Sequence, residues 1–127
     1  MEKHVSTLSV AIVDDDEAVL DAVETVLDDQ YWVTHTYISG DVFLSDLKDL
    51  KPDCIILDAN LLGLSGEAVA QTVTNDFDHI PIIVLTAYPD SPQTMKIKKL
   101  GVRDVLVKPV TANALIECIQ NIVKVPD

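Results

Sequence analysis

A chain of 127 residues is long enough for one domain with its own core, and 48% hydrophobic with 24% charged residues describes a globular fold, not a disordered segment. Nine Lys and Arg against 21 Asp and Glu leave a formal charge of −12, which repels phosphate backbones and anionic lipid surfaces and so argues against direct nucleic-acid or membrane binding. The N-terminal "MEKHVSTLSV" lacks an apolar stretch of signal-peptide length and no run is long enough to cross a bilayer, so the expectation is a cytoplasmic protein, one domain over 1–127 with its core at about 8–123.

Short β-branched runs alternate with amphipathic segments, the pattern of a parallel sheet covered on both faces. Five strands and five helices are predicted. The first strand, about Ser9 to Val13, is continuously apolar and ends in Asp14, Asp15 and Asp16. "DEAVLDAVETVLDD" follows as a helix with Val19, Val23, Val26 and Leu27 on one stripe and acids opposite; Asp16 and Glu17 at its start suit the helix dipole. A second strand runs from about Trp32 to Tyr37, and Ser39 caps a helix through about Leu47. "CIIL", Cys54 to Leu57, is a third strand, and Ser65 begins a helix through about Thr74. "IIVL", Ile82 to Leu85, is the fourth. After it Ser91 caps a helix with Pro92 at its first position and Gly101 as its stop. The last strand is Asp104 to Val107, and the last helix starts at Thr111, turns Leu115, Ile116, Ile119 and Ile122 inward, and ends near "VKVPD".

In an open parallel sheet, ligands bind beyond the carboxyl ends of the strands. Strand one ends in Asp14 and Asp15, strand three in Asp58, strand four in Thr86, and strand five in Lys108 and Pro109. Singly these are ordinary residues: a turn acid, a β-branched hydroxyl, a loop lysine. Together they form a set suited to phosphoryl transfer. Asp14 and Asp15 can supply hard oxygen ligands to a magnesium ion, Asp58 can reach the same ion and attack phosphorus, and Lys108 and Thr86 can cover the transferred oxygens.

In order and spacing, "VDDDE", "CIILDANLLGLSG", "IVLTA" and "VLVKP" resemble the receiver domains of two-component response regulators, over about Val10 to Val123. The resemblance implies a flavodoxin-like, doubly wound five-stranded parallel sheet of order 2-1-3-4-5 with five helices. It implies Asp14 and Asp15 as the metal-binding pair for Mg2+ (or Mn2+), joined by Asp58 and the backbone carbonyl of Asn60. Asp58 would be the phosphoacceptor, Thr86 and Lys108 the phosphoryl-stabilising pair, and Lys108-Pro109 a cis peptide. The implied partners are a sensor histidine kinase or a phosphotransfer protein, with receiver dimerisation through helix four, strand five and helix five. Such a domain is a switch that catalyses its own phosphorylation and dephosphorylation, not a metabolic enzyme.

Two positions depart from the family pattern, and a third bears on hydrolysis. Val105 stands where an aromatic usually couples to the hydroxyl, and Leu62 where a proline usually follows the phosphoacceptor, in a loop whose Leu61, Leu62 and Leu64 form either an apolar docking edge or, the favoured reading, simple packing. Tyr88 lies at a position that in the family influences hydrolysis, so its ring is expected to hinder the attacking water and lengthen the phosphoryl lifetime. Two rival functions remain. Asp14 and Asp16 form the D-x-D of a haloacid dehalogenase-type phosphatase, although the segment after strand four offers no late acidic pair for its metal, and a phosphorylation-independent pseudo-receiver would only bind. Cys54 and Cys118 read as small buried hydrophobes; His4, His35 and His79 have no ligand spacing; Lys96, Lys98 and Lys99 read as a solvated helix face.

Overall fold

The computed structural model describes residues 7–123. In chain order these form β1 (Ser9–Val13), α1 (Glu17–Asp28), β2 (Val33–Tyr37), α2 (Gly40–Leu50), β3 (Cys54–Asp58), α3 (Gly66–Asp76), β4 (Ile82–Thr86), α4 (Pro92–Lys98), β5 (Asp104–Val107) and α5 (Ala112–Ile122). The strands make one parallel sheet of order β2-β1-β3-β4-β5, the expected flavodoxin-like topology. No helix among the described residues is long and apolar enough to cross a membrane.

The three interior strands are buried almost throughout because helices cover both faces. Side-chain alternation divides them cleanly. Ala11, Val13, Ile55, Leu57, Ile82 and Val84 point to one face and meet Phe43 and Leu47 of α2, Val69 and Val73 of α3, and Ile97 of α4. Val10, Ile12, Cys54, Ile56, Ile83 and Leu85 point to the other and meet Leu20, Val23 and Leu27 of α1 and Leu115 and Ile119 of α5. Phe43 is fully buried in the first layer, and its truncation to Ala would cost roughly 3 to 5 kcal/mol.

Every helix among the described residues begins with a side-chain cap. Asp16, Ser39, Ser65, Ser91 and Thr111 accept from the main-chain N–H groups of Ala18, Val42, Ala68, Thr94 and Ala114, each cap contributing about 1 kcal/mol. These starts follow the carboxyl ends of the strands, so the caps also fix the loops around the strand-end site. Gly66, the first residue of α3, is pressed against β3: a methyl group there would meet the carbonyl oxygens of Asp58 at 2.7 Å and Ala59 at 2.8 Å.

Several boundaries differ from those read in the sequence. β3 and β4 each extend one residue further, to Asp58 and Thr86, because Asp58 pairs with Leu85 and Thr86 with Val107. β2 starts at Val33, one residue after the buried Trp32. α2 continues to Leu50 and α3 to Asp76, while α5 begins at Ala112 with Thr111 as its cap. On α1 the buried line is Leu20, Val23 and Leu27, flanked by half-buried Val19 and Val26, so the core stripe is rotated toward Leu20. His4 and the segment after Val123 lie outside the described residues.

Candidate functional site

β1 and β3 are neighbours, so their carboxyl ends bring Asp14, Asp15 and Asp58 together. One carboxylate oxygen from each lies within 4.8 Å of the other two. Asp14 and Asp58 are buried, Asp15 half-buried. From the turn after β5, Lys108 Nζ enters this group, 3.0 Å from Asp14 Oδ2 and 3.3 Å from Asp58 Oδ1. The Lys108–Pro109 peptide bond is cis.

Main-chain donors hold the acids in place. Asp14 Oδ1 accepts from the Asp16 N–H at 2.9 Å, Asp15 Oδ2 from the Leu62 N–H at 3.0 Å, and Asp58 Oδ1 from the Asn60 N–H at 3.2 Å. Asp58 Oδ2 takes no hydrogen bond from the described residues, which leaves one oxygen of that carboxylate free to act as a ligand or nucleophile. Burial pushes the Asp14 carboxyl above its ordinary pKa, against the Asp16 N–H and Lys108, which pull it down. Burial also works against the Lys108 charge, yet the Asp14 and Asp58 carboxylates outweigh it and hold the ammonium above the ordinary lysine value.

Among the described residues, three clustered carboxylates against one ammonium leave a local excess of negative charge in a poorly hydrated place. Hard oxygen donors at this spacing match a divalent cation that keeps several waters, so the group is chemically fit for magnesium or manganese.

Thr86 ends β4 beside Asp58's strand and is fully buried, but its hydroxyl faces α4: it lies 3.1 Å from Thr94 Oγ1 and accepts from the Tyr88 N–H at 3.0 Å. Tyr88 is 65% exposed. Val105 sits on β5 opposite Val84 and packs, half-buried, against the core on the α3 and α4 side. In the loop after β3, Leu61 is buried and Leu64 half-buried against that core, whereas Leu62 is 80% exposed. The packing expected of Leu62 is therefore not found; its N–H, not its side chain, serves the site. Asp16 caps its own helix and stands outside the carboxylate group.

Two residues that carry the site's surroundings went unnoticed in the sequence. Thr94, fully buried in the first turn of α4, contacts Thr86, and Gln93 Nε2 donates to the Ala59 carbonyl at 2.9 Å, next to Asp58. The available signal was a hydroxyl on the inward stripe of a helix, one turn before Ile97. Cys54 and Cys118 are both buried free thiols.

Comparison with known proteins accords with this geometry. The family model described as the response regulator receiver domain matches residues 10–120. The response regulator protein TmoT of Ectopseudomonas mendocina is 31% identical over 115 residues, covering 91% of this chain and 52% of the relative. AfsQ1 of Streptomyces coelicolor, a transcriptional regulatory protein, is 35% identical over 107 residues, covering 84% of this chain and 47% of its own length. The chain thus spans only about half the length of these curated relatives. Among solved structures, the CheY-like receiver domain protein of Methanospirillum hungatei superposes with a TM-score of 0.88 at 20% identity, over 93% of this chain and 94% of the other. A response regulator from Chloroflexus aurantiacus superposes at 0.86 with 28% identity, over 93% and 98%. With the sheet order, the strand-end acids and the family match over most of its length in agreement, this chain belongs to the response regulator receiver domains of two-component systems.

Proposed function

We propose that residues 1–127 act as one receiver domain that takes a phosphoryl group onto Asp58 and changes its protein contacts in response. The observation that carries this reading is the convergence of the Asp14, Asp15 and Asp58 carboxylates within 4.8 Å, with Lys108 bridging Asp14 and Asp58. A sensor histidine kinase or a phosphotransfer protein is the donor, in the cytoplasm. The Asp58 carboxylate attacks phosphorus, the P–N bond to the donor imidazole breaks with its electron pair leaving on nitrogen, and a P–O bond forms to give an acyl phosphate.

Asp14, Asp15, Asp58 and the Asn60 carbonyl would hold Mg2+, or Mn2+, which when bound offsets charge on the carboxylates and on the transferred oxygens. Lys108 already lies against Asp58 Oδ1, so its ammonium is positioned for an oxygen attached at that carboxyl. Thr86 supplies a hydroxyl to a second phosphoryl oxygen after turning toward the site. Hydrolysis by water returns Asp58 to its resting form, and the exposed Tyr88 ring slows that step by hindering access. The face of α4, β5 and α5 presents the changed surface to partners, a second receiver included. Val105 lacks the ring that usually carries this coupling.

The test is incubation with acetyl phosphate and Mg2+ followed by assay for an acid-stable, base-labile phosphate on the intact protein. Labelling that disappears in Asp58→Asn is expected. Label that persists in that variant, or sits on Asp14, would replace the receiver chemistry with that of a phosphatase.

A further inference from the structure

Thr94 is fully buried although its side chain ends in a hydroxyl, and that hydroxyl has three polar neighbours. It donates to the Tyr88 carbonyl at 2.9 Å, accepts from the Ser91 hydroxyl at 3.1 Å, and lies 3.1 Å from Thr86 Oγ1. A hydroxyl has one proton to give and two lone pairs to receive with. Because the Thr94 proton goes to the Tyr88 carbonyl, the Thr86 contact must run the other way, with Thr86 donating and Thr94 accepting. The Tyr88 N–H meanwhile donates to Thr86 Oγ1. The one hydroxyl proton of Thr86 is therefore committed to α4 and is not available to an oxygen at Asp58.

We propose that Thr94 is a positioning residue for this reaction: it holds the Thr86 proton in α4, so that a phosphoryl oxygen on Asp58 gains that proton only by displacing Thr94. This rests on the reading of Asp58 as phosphoacceptor and adds where the switch is latched. The exchange replaces one hydrogen bond by another and makes or breaks no covalent bond. When it happens, β4 loses its side-chain tie to the first turn of α4. A second tie from the same turn, Gln93 to the Ala59 carbonyl, still joins α4 to the residue next to Asp58. α4 thus registers the state of the site directly, by a route that does not pass through β5, where Val105 has no polar group to contribute.

Beryllofluoride with Mg2+, a non-covalent mimic of the phosphoryl group, provides the test. Thr94→Val keeps the volume but removes the acceptor, leaving the resting Thr86 proton without a partner, so the variant should bind the mimic about fivefold tighter than the unaltered protein. Thr94→Ser restores the hydroxyl and should return the affinity to the original value. A Thr94 that matters only for packing would instead show weaker or equal binding in the Val variant and no rescue by Ser, and either pattern overturns the inference. Should the Val variant fail to fold, amide and methyl NMR spectra of the unaltered protein decide: the Tyr88 N–H and the Thr94 methyl should shift strongly on adding beryllofluoride, and resonances that stay put overturn the latch. No binding by the unaltered protein, with no base-labile label from acetyl phosphate, overturns the Asp58 reading itself; binding or labelling with equal affinities across the variants overturns only the role of Thr94.

Discussion

On the side of the site built from β1, β3 and the turn after β5, three carboxylates face one ammonium; on the side built from β4 and α4, the Thr86, Ser91 and Thr94 hydroxyls and the Tyr88 main chain close a ring of hydrogen bonds. The two halves touch the same strand ends and are incomplete in opposite senses. The acid half has unbalanced charge and free acceptor capacity, so it gains by taking in a cation. The hydroxyl half has every proton assigned, so it can join the chemistry only by giving up a contact it already has.

The largest effect should come from the single ammonium of the acid half. Lys108→Met is expected to slow labelling by acetyl phosphate about a hundredfold or more, since a positioned charge on the developing phosphoryl oxygens is lost. The same change leaves the buried Asp14 without its ion-pair partner and should lower stability by about 3 kcal/mol, read from chemical denaturation. A labelling rate that survives would mean that charge imbalance does not organise this half.

Asp15→Asn comes next. Asp15 is half-buried and its one hydrogen bond among the described residues is from the Leu62 N–H, so the fold should persist while Mg2+ affinity falls about tenfold by titration calorimetry. Smaller again is Tyr88→Ala. Tyr88 serves the hydroxyl ring through its main chain alone, so removing the phenol should leave that ring intact yet shorten the phosphoryl half-life by roughly threefold. An unchanged decay of base-labile phosphate would clear the ring of any part in hydrolysis.

The smallest effect near neutral pH lies outside both halves, in the thiols of the layer formed with α1 and α5. Burial pushes Cys54 and Cys118 up to about 12 from an ordinary value of 9.0. With folded-state values above unfolded ones, their contribution to stability is fully present below about pH 9 and is lost as pH rises through 12. Replacing both, as Cys54→Val with Cys118→Ala, should flatten the alkaline fall in melting temperature and leave the neutral plateau in shape. An alkaline limb as steep as before would assign that loss to other groups, Tyr37 among them.

Much of the acid half was legible in the residues. Strand-length apolar runs ending at Asp14, Asp58 and Lys108 locate the sheet edge and the acid half's polar groups on it, because strand geometry leaves little choice about where the next side chain goes. Of the hydroxyl half, Thr86 is legible in the same way and Ser91 as a cap, but the burial of Thr94 and the direction of its hydrogen bonds depend on how α4 seats against β4, a tertiary fact. The same limit explains the extra strand residues: Asp58 and Thr86 are counted into β3 and β4 only once Leu85 and Val107 pair with them. On α1, periodicity picked out valines 19 and 26, yet the helix rotates to centre Leu20, whose longer side chain reaches the layer beneath.

Gly66 adds a requirement of dimensional tolerance. With carbonyl oxygens only 2.7 and 2.8 Å from where its Cβ would be, the start of α3 works as a gauge block set against the peptide that carries Asp58. Any side chain thicker than a hydrogen must force the start of α3 and the strand end apart, and any shift of the strand end carries the Asp58 carboxylate with it. The damage from Gly66→Ala would therefore be greater in phosphorylation rate than in melting temperature, since an in-line attack tolerates far less misplacement than a folded core does.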